Sequence, residues 1–508
     1  MQTLGEVLEQ TRKRNPQGIA IELNEERLTY EQLSMRVKRV AQRLQSYGLT
    51  SHDIVALLLQ NTPASIIGFL ALAWSGIGTI PLDPNIPPSE LQTIKQQIPF
   101  VALMGERNNL NHIEQIAASR QFIDIASILA NDKTQFSETE ELGPTSDARS
   151  TFLYHFTSGS TGAPKAALHS QGNLVNGGAL YQQTYQITST DTLFIPIPLY
   201  HSFGMIGGFV TALLSGARVI LNKRFVPSQI VNTIAQQQVS LLFATPMIYD
   251  LVARCALRET PDLKTLRYCL SSGSALSTET IEKFQARFGK PIYSVYGCTE
   301  VGIIASRWNS AHNWPLQALG RPLQGNCIRI VDEDGIDQPA NTRGMLLVQT
   351  PAMFSGYYQH PEATWNVFSD NWYITGDIAY VDEQGFLYLV GRKDTFINVG
   401  GKKVNPTEVE GVLQAHPKVR EAIVFGQNAG SAGEYVQAVL VLREPATTDE
   451  IAAFCRQRLA TYKVPSHIQV VDEFAKTSLG KIRRSYYSNN AETPEDMKHS
   501  LVGHQIRR

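Results

Sequence analysis

The stretch Phe156–Lys165, FTSGSTGAPK, crowds hydroxyls and glycines together and closes on a lysine. Glycines let successive backbone N–H groups turn inward into an anion-binding concavity, and hydroxyls and a lysine add donors and mobile positive charge. The spacing departs from the Walker pattern, because Pro164 stands where that motif has the glycine before its lysine. Taken alone, a run rich in Ser, Thr and Gly is more often a surface loop. Its chemistry depends on what the rest of the chain supplies.

At 508 residues the chain exceeds what one hydrophobic core usually serves, so at least two domains are expected. A 43% apolar and 18% charged composition is that of an ordinary globular protein, and a net charge of −1 argues against general binding to nucleic acid or membrane surfaces. The five cysteines, at 255, 269, 298, 327 and 455, are scattered without a C-x-x-C pair. That pattern argues against a disulfide framework or thiolate metal site and fits reduced thiols in the cytoplasm. The N-terminus reads as a short amphipathic helix through Leu4, Val7 and Leu8, without a signal peptide's apolar centre. The longest apolar run, near Ile66–Trp74, is too short to span a bilayer, so no integral membrane segment is expected.

The stretch IAIELNEERLTYEQLSMRVKRVAQRLQSYGL reads as strand, turn and helix, with Thr29 and Gln32 as a capping box and Leu33, Val37, Val40 and Leu44 at helical spacing. DIVALLLQN, ARVIL and VSLLFATP are buried-strand candidates that alternate with helices. This is an α/β pattern, with ligands expected at the carboxyl ends of strands. From about Gly325, shorter alternating runs such as IRIVDEDG, GMLLVQT and GFLYLVGRKD suggest a small β-rich, barrel-like subdomain. After Asp394, helix and strand alternate over about a hundred residues, which fits a compact α+β domain. The expected fold is therefore a multidomain α/β protein, with a large N-terminal domain over 1–393 and a small C-terminal one over 394–508. The polar tail beyond Tyr487 is expected to be disordered.

Four further islands follow the opening loop in order: VYGCTE (295–300), YITGD (373–377), GRKDTFINVGGKKVNPTEVE (391–410) and KTSLGKIRR (476–484). Together the five closely resemble the adenylate-forming superfamily of acyl-CoA synthetases, luciferases and peptide-synthetase adenylation domains, over nearly the whole chain. The resemblance implies a ligase that drives a carboxylate onto the α-phosphate of ATP, releases pyrophosphate, and passes the acyl group to a thiol. A carboxylate is already ionised at neutral pH, so the difficulty is bringing an anion to a polyanion, and the remedy is preorganised positive charge and N–H donors.

On this resemblance, Thr157, Ser158, Gly159, Ser160, Thr161, Gly162 and Lys165 would hold the β/γ-phosphates. Glu300 would be the Mg²⁺ carboxylate, with Thr157 beside the metal. Thr299 would bond the α-phosphate, and Ser274, Tyr296 and Gly297 would complete the nucleotide pocket. Asp377 would accept from the ribose hydroxyls, although a lone Gly-Asp is more commonly a turn. Arg392 would reach ribose and phosphate from the domain junction. Lys481 would be the cation for the adenylation transition state. Asp394 would be the hinge on which the small domain swings between half-reactions, and Gly400 and Gly401 would admit a pantetheine arm. Arg483 and Arg484 read either as exposed charges or as a docking patch for an acidic partner.

PIPLYHSFGM, ending at Met205, lies where the family places its substrate-facing motif. Amino-acid-activating members carry a Phe-Asp pair there, and Tyr200 and His201 stand in its place. With no carboxylate to pair an ammonium, an ordinary amino acid is disfavoured, because an unpaired buried charge is costly. His201 is expected to orient or shield the reacting carboxylate. Phe203, Met205, Gly207, Gly208, SSGSAL (271–276) and SVYG (294–297) read as a small apolar wall whose glycines and serines leave room, which favours a fatty acid over an aryl acid. Two departures from the family pattern, Ala166 for glycine and Gln171 for histidine, bear on substrate-side details. No carrier domain is expected after the small domain. The acceptor is then a diffusible thiol: coenzyme A by preference, or the phosphopantetheine of a separate acyl carrier protein. A luciferase-like oxygenase would share the adenylation chemistry, whereas a non-catalytic nucleotide binder should lack Lys481 or Glu300, and both are present.

Overall fold

The computed structural model describes residues 1–107, 121–130, 147–157, 165–308, 315, 317–399, 402–428, 434–477 and 480–489. The expectation of a disordered tail beyond Tyr487 lies almost wholly outside the described residues. In chain order, β1 (Ile19–Leu23) and β2 (Glu26–Thr29) pair as a hairpin that runs into helix Tyr30–Ser46. Next, β3 (Ile54–Leu58), β4 (Gly78–Leu82), β5 (Ala102–Gly105), β6 (Gln121–Asp124), β7 (Thr151–Thr157) and β8 (Lys165–Ser170) form a sheet in the order β6-β5-β3-β4-β7-β8. Its neighbours are parallel except for the β7–β8 hairpin.

A second sheet gathers β9 (Thr192–Ile195), β10 (Arg218–Leu221), β11 (Leu241–Ala244), β12 (Tyr268–Ser271), β13 (Ile292–Cys298), β14 (Gly302–Ser306) and β15 (Arg321–Pro322) onto the first hairpin. Its order is β15-β14-β13-β12-β11-β9-β10-β1-β2, and the stretch from β13 to β1 is parallel throughout. Parallel strands covered on both faces need apolar residues at every position. In β3, Val55 and Leu57 join one core while Ala56 and Leu58 join another on the opposite face. Helix Pro63–Trp74 touches β1 of one sheet and β3 and β5 of the other, and every residue in it except Ala64 is buried. An all-round apolar helix is what that position requires.

Local signals match these elements. Thr29 Oγ1 accepts from the Gln32 N–H, and the Gln32 side chain accepts in return from the Thr29 N–H at 3.0 Å. Leu33, Val37, Val40 and Leu44 are fully buried, as are Leu4 and Leu8. Gln171 accepts from the Leu4 N–H at 2.8 Å and donates to the Ala73 carbonyl at 2.8 Å. This departure from the family pattern therefore fastens the N-terminal helix to the end of a core helix.

The β-rich subdomain consists of β16 (Cys327–Val331), β17 (Gly344–Gln349), β18 (Phe368–Ser369), β19 (Trp372–Val381) and β20 (Leu387–Arg392), all antiparallel. Residues 319–320 bridge onto its β20 side. The small C-terminal domain starts with the hairpin of β21 (Ile397–Val399) and β22 (Lys402–Val404). Helices Pro406–Gln414 and Thr448–Arg456 then accompany β23 (Val419–Asn428), β24 (Glu434–Leu442) and β25 (His467–Val470), paired in that order. It has its own core, in which Ala438 and Leu440 of β24 face one cluster and Val439 and Val441 another. Among the described residues, no helix is long and apolar enough to cross a membrane.

Candidate functional site

The carboxyl ends of the parallel strands, β19, β20 and one loop of the small domain supply the polar groups. Asp377 and Arg392 are direct cross-strand partners on β19 and β20. Arg392 Nε lies 3.7 Å from Asp377 Oδ1, and its Nη2 donates to the Thr375 carbonyl at 3.2 Å. Gly376, at φ +74, leaves room for that guanidinium, since a Cβ there would stand 3.1 Å from Nη2. Tyr296, near the end of β13, donates its hydroxyl to Asp377 Oδ2. Burial raises the Asp377 pKa, while the Tyr296 bond and the charges of Arg392 and Lys481 oppose the rise. A buried carboxylate with its backbone pinned to Thr375 Oγ1 at 3.0 Å is a fixed acceptor suited to hydroxyl donors.

Glu300 is buried at the turn after β13 and accepts from the Tyr357 hydroxyl at 2.8 Å. The Lys165 ammonium sits 5.5 Å from the centroid of the same tyrosine ring. The last residue of the candidate phosphate loop and the candidate metal carboxylate thus converge on Tyr357. Burial, then the Glu300 charge, holds Cys298 as a thiol. Among the described residues, no cluster of three or more His, Cys, Asp or Glu could hold a metal by itself. One buried carboxylate nevertheless suits Mg²⁺, which usually takes one or two protein carboxylates and completes its shell with phosphate oxygens and water. Thr157 Oγ1 donates to the Lys165 carbonyl at 3.3 Å, closing the β7–β8 hairpin at the mouth of the loop. Ser158, Gly159, Ser160, Thr161 and Gly162 lie outside the described residues.

His201 sits in the loop after β9, and three residues from the other sheet hold that loop. Asn61 donates to the Ile197 carbonyl at 2.8 Å and accepts from the Leu199 N–H at 2.9 Å. Tyr200 donates to Asp83 at 2.8 Å, and His155 Nε2 lies 2.9 Å from the Tyr200 carbonyl. The Tyr200 and His201 ring centroids are 4.5 Å apart. Burial, then neighbouring His155, pushes the His201 pKa down to about 3. The ring is therefore neutral at physiological pH and can donate one hydrogen bond without carrying charge. The sequence reading missed Asn61, Asp83 and His155. Asn61 and Asp83 follow β3 and β4 almost immediately, so the strand-end rule could have found them.

The wall of the acid site differs from expectation. A Cβ on Gly207 would come within 2.9 Å of the Tyr181 ring, and one on Gly208 within 2.4 Å of the Ile195 side chain. Neighbouring side chains already occupy the two Cβ positions, so these glycines permit close packing and are not themselves a sign of open space. Met205 is buried in the core. Phe203 packs on Phe243 at 5.4 Å and on Tyr181 at 6.4 Å, giving an aromatic lining. In the loop after β12, Gly273 has φ +100 and Ser274 is exposed. Thr299 and Gly297 flank the β13 turn near Tyr296 and Glu300.

Lys481 comes from the small domain. Its carbonyl accepts from the Thr477 N–H, and the Gly480 N–H donates to the Thr477 carbonyl, both at 2.8 Å. Gly480, at φ +78, lies flush on Met247 in the first turn of helix Pro246–Arg254, where a Cβ would stand 2.8 Å from the sulfur. Lys481 keeps a solvent-facing surface, yet the protein around its ammonium lowers its pKa, with Arg392 and Arg484 adding to the effect and Asp377 opposing it. The lysine is thus within electrostatic reach of the Asp377–Arg392 pair. Arg484 bonds Glu410 through contacts of 2.7 and 2.9 Å and, like Arg483, stays exposed. Asp394 occupies a single turn, Lys393–Thr395, directly after β20. Its side chain and Gly400 and Gly401 lie outside the described residues.

The "AMP-binding enzyme" family model matches residues 8–358, and "AMP-binding enzyme C-terminal domain" matches 408–481. The chain belongs to this family. It is 30% identical to the "Oxalate--CoA ligase" of Arabidopsis thaliana, over 95% of this chain and 97% of that protein. It is 28% identical to the "Medium-chain fatty-acid--CoA ligase" of Escherichia coli, over 95% and 89%. Among solved structures, ATP-bound MatB from Rhodopseudomonas palustris matches at 25% identity with a TM-score of 0.87, covering 96% of this chain and 99% of that one.

The apo form of MatB covers the same shares at a TM-score of only 0.75. This chain therefore superposes more closely on the ATP-bound form than on the apo form.

Proposed function

We propose that this protein is an AMP-forming acid–thiol ligase that activates an apolar carboxylic acid, a fatty acid first, and transfers it to coenzyme A. The observation that carries the reading is the meeting of Lys481, from the small domain, with Asp377 and Arg392 of the large one, beside Glu300. Relatives named as CoA ligases support coenzyme A over a carrier protein as acceptor.

In the first step a carboxylate oxygen bonds to the α-phosphorus of ATP and the bond to the pyrophosphate oxygen breaks. Mg²⁺, held by Glu300 and the phosphates, would supply charge neutralisation. Neutral His201 orients the carboxylate by an N–H bond, Asp377 holds the ribose, and Arg392 and Lys481 face the charge that develops at phosphorus. In the second step the thiol sulfur gives up its proton to solvent and bonds to the acyl carbon, while the bond from that carbon to the phosphate oxygen breaks and AMP departs. The proposed large-domain and small-domain units, 1–393 and 394–508, hinge at Asp394 between these steps. An aryl acid is the second reading, favoured by the Phe203–Phe243–Tyr181 lining and by the filled space at Gly207 and Gly208.

The test is pyrophosphate release across fatty acids of graded length, aryl acids and amino acids, with coenzyme A and a carrier protein as separate acceptors. Lys481→Ala should lower acyl-adenylate formation by about 10²–10³-fold while still converting supplied acyl-adenylate to thioester. Wild-type protein that releases pyrophosphate with no acid in the panel would overturn the reading.

A further inference from the structure

Outside the site itself, two charged pairs among the described residues join the two domains, and one of them is well formed. Arg443, immediately after β24 in the small domain, places Nη2 2.8 Å and Nη1 3.4 Å from the two oxygens of Glu279 in the first turn of helix Thr278–Phe288. Its own backbone is fixed, because the Arg443 N–H donates to the Lys418 carbonyl at 2.8 Å, and Nε donates to the Val419 carbonyl at 3.2 Å. Arg443, then Lys283, draws the Glu279 carboxyl down to about 2. Helix Thr278–Phe288 packs on helix Pro246–Arg254, whose first turn carries Met247, the seat of Gly480. The ion pair and the Lys481 loop therefore dock on one rigid two-helix unit. The other charged pair across the boundary, Lys403 with Glu333 at 3.8 Å, joins two well-exposed side chains and constrains little.

We propose that Arg443, through Glu279, is a positioning residue that holds the small domain in the adenylating orientation and so presents Lys481 to the reacting phosphate. It acts on the first half-reaction and not the second, because the pair exists only while this face is docked. The inference rests on the ligase reading for its kinetic arm. Removing Arg443 does not strand a charge in the large domain, since Glu279 keeps Lys283 at 2.5 Å and Arg254 at 3.5 Å. Loss of activity on substitution is then an effect on orientation.

The experiment compares wild type, Arg443→Ala and Arg443→Lys by single-turnover kinetics of each half-reaction. Hydrogen exchange over residues 247–254 reports docking independently of activity. A partly exposed two-contact pair predicts that Arg443→Ala slows pyrophosphate release about fivefold, leaves thioester formation from supplied acyl-adenylate undiminished, and speeds exchange on that helix. Arg443→Lys should recover most of the loss. Raising salt should bring wild type toward Arg443→Ala while leaving the variant unchanged. Equal losses in both half-reactions, or unchanged exchange over 247–254, would overturn the proposal. If wild type activates no acid in the panel, the ligase reading fails, and the exchange measurement still decides the latch.

Discussion

Three buried histidines cluster beside the candidate acid site, and they should make the protein acid-labile in a countable way. Burial pushes His155 down to about 4 and His169 and His201 each to about 3. The Thr299 backbone lies close enough to His169 to offset a little of this without meeting hydrogen-bond geometry. The folded rings stay neutral at pH 5.5, while an unfolded histidine, with a pKa near 6.5, carries about 0.9 proton there. The unfolded chain thus binds more protons, and stability falls as pH drops through the unfolded value toward 4. From pH 7.5 to 5.5 each ring costs about 1.4 kcal/mol, so the trio costs about 4 kcal/mol. The lowered carboxyls, Glu9, Glu279 and Glu450, act below this window, and the raised pKa of Asp377 works in the opposite sense.

Calorimetry at pH 5.5 in buffers of different ionisation heat counts the protons taken up on unfolding. His169→Leu should reduce the uptake by about 0.9 proton and flatten the pH dependence of stability by about a third. An unchanged uptake in the variant would refute the assignment of His169 as a neutral, proton-refusing ring.

Two further substitutions test the site. Glu300→Gln keeps an acceptor for Tyr357 but offers a hard cation a neutral amide; the Mg²⁺ concentration for half-maximal pyrophosphate release should rise about tenfold and be partly rescued by added Mg²⁺. Gly480→Ala forces a side chain into the left-handed region, at about 1–2 kcal/mol, and against the Met247 sulfur. Adenylation should fall about tenfold, thioester formation from supplied acyl-adenylate should be spared, and a second change, Met247→Ala, should recover part of the loss.

Much of this architecture was legible because local chemistry and global fold agree. The Thr29–Gln32 capping box, the continuous apolar run of β3 and helix Pro63–Trp74, apolar except for Ser65, each match their environment. The candidate site was legible as residue types, since Asp377 and Arg392 pair in register and Lys481 comes close to them. What failed was the inference from glycine to space. Gly207 and Gly208 lack side chains because Tyr181 and Ile195 occupy the volume, and a sequence does not distinguish a cavity from close packing. The Arg443–Glu279 pair was also invisible, because its members lie 164 positions apart and each resembles an ordinary surface charge.

The proposed movement of the unit that carries Lys481 fits the charges around that lysine. Burial first, and then Arg392 across the boundary, push its pKa down, so bringing the small domain onto an empty site sets two like charges together, opposed by Asp377. A polyphosphate between Lys481 and Arg392 would reverse the sign of that term. Nucleotide binding and docking then favour each other, and by linkage each raises the affinity of the other by the same factor. Once pyrophosphate has gone, most of the anionic charge has left with it, and the repulsion between Lys481 and Arg392 returns. In the proposed cycle, the charge that is released is what frees the small domain to turn toward the thiol. The Arg443–Glu279 pair must accordingly be weak, since a stronger latch would speed the first step only by trapping the enzyme before the second.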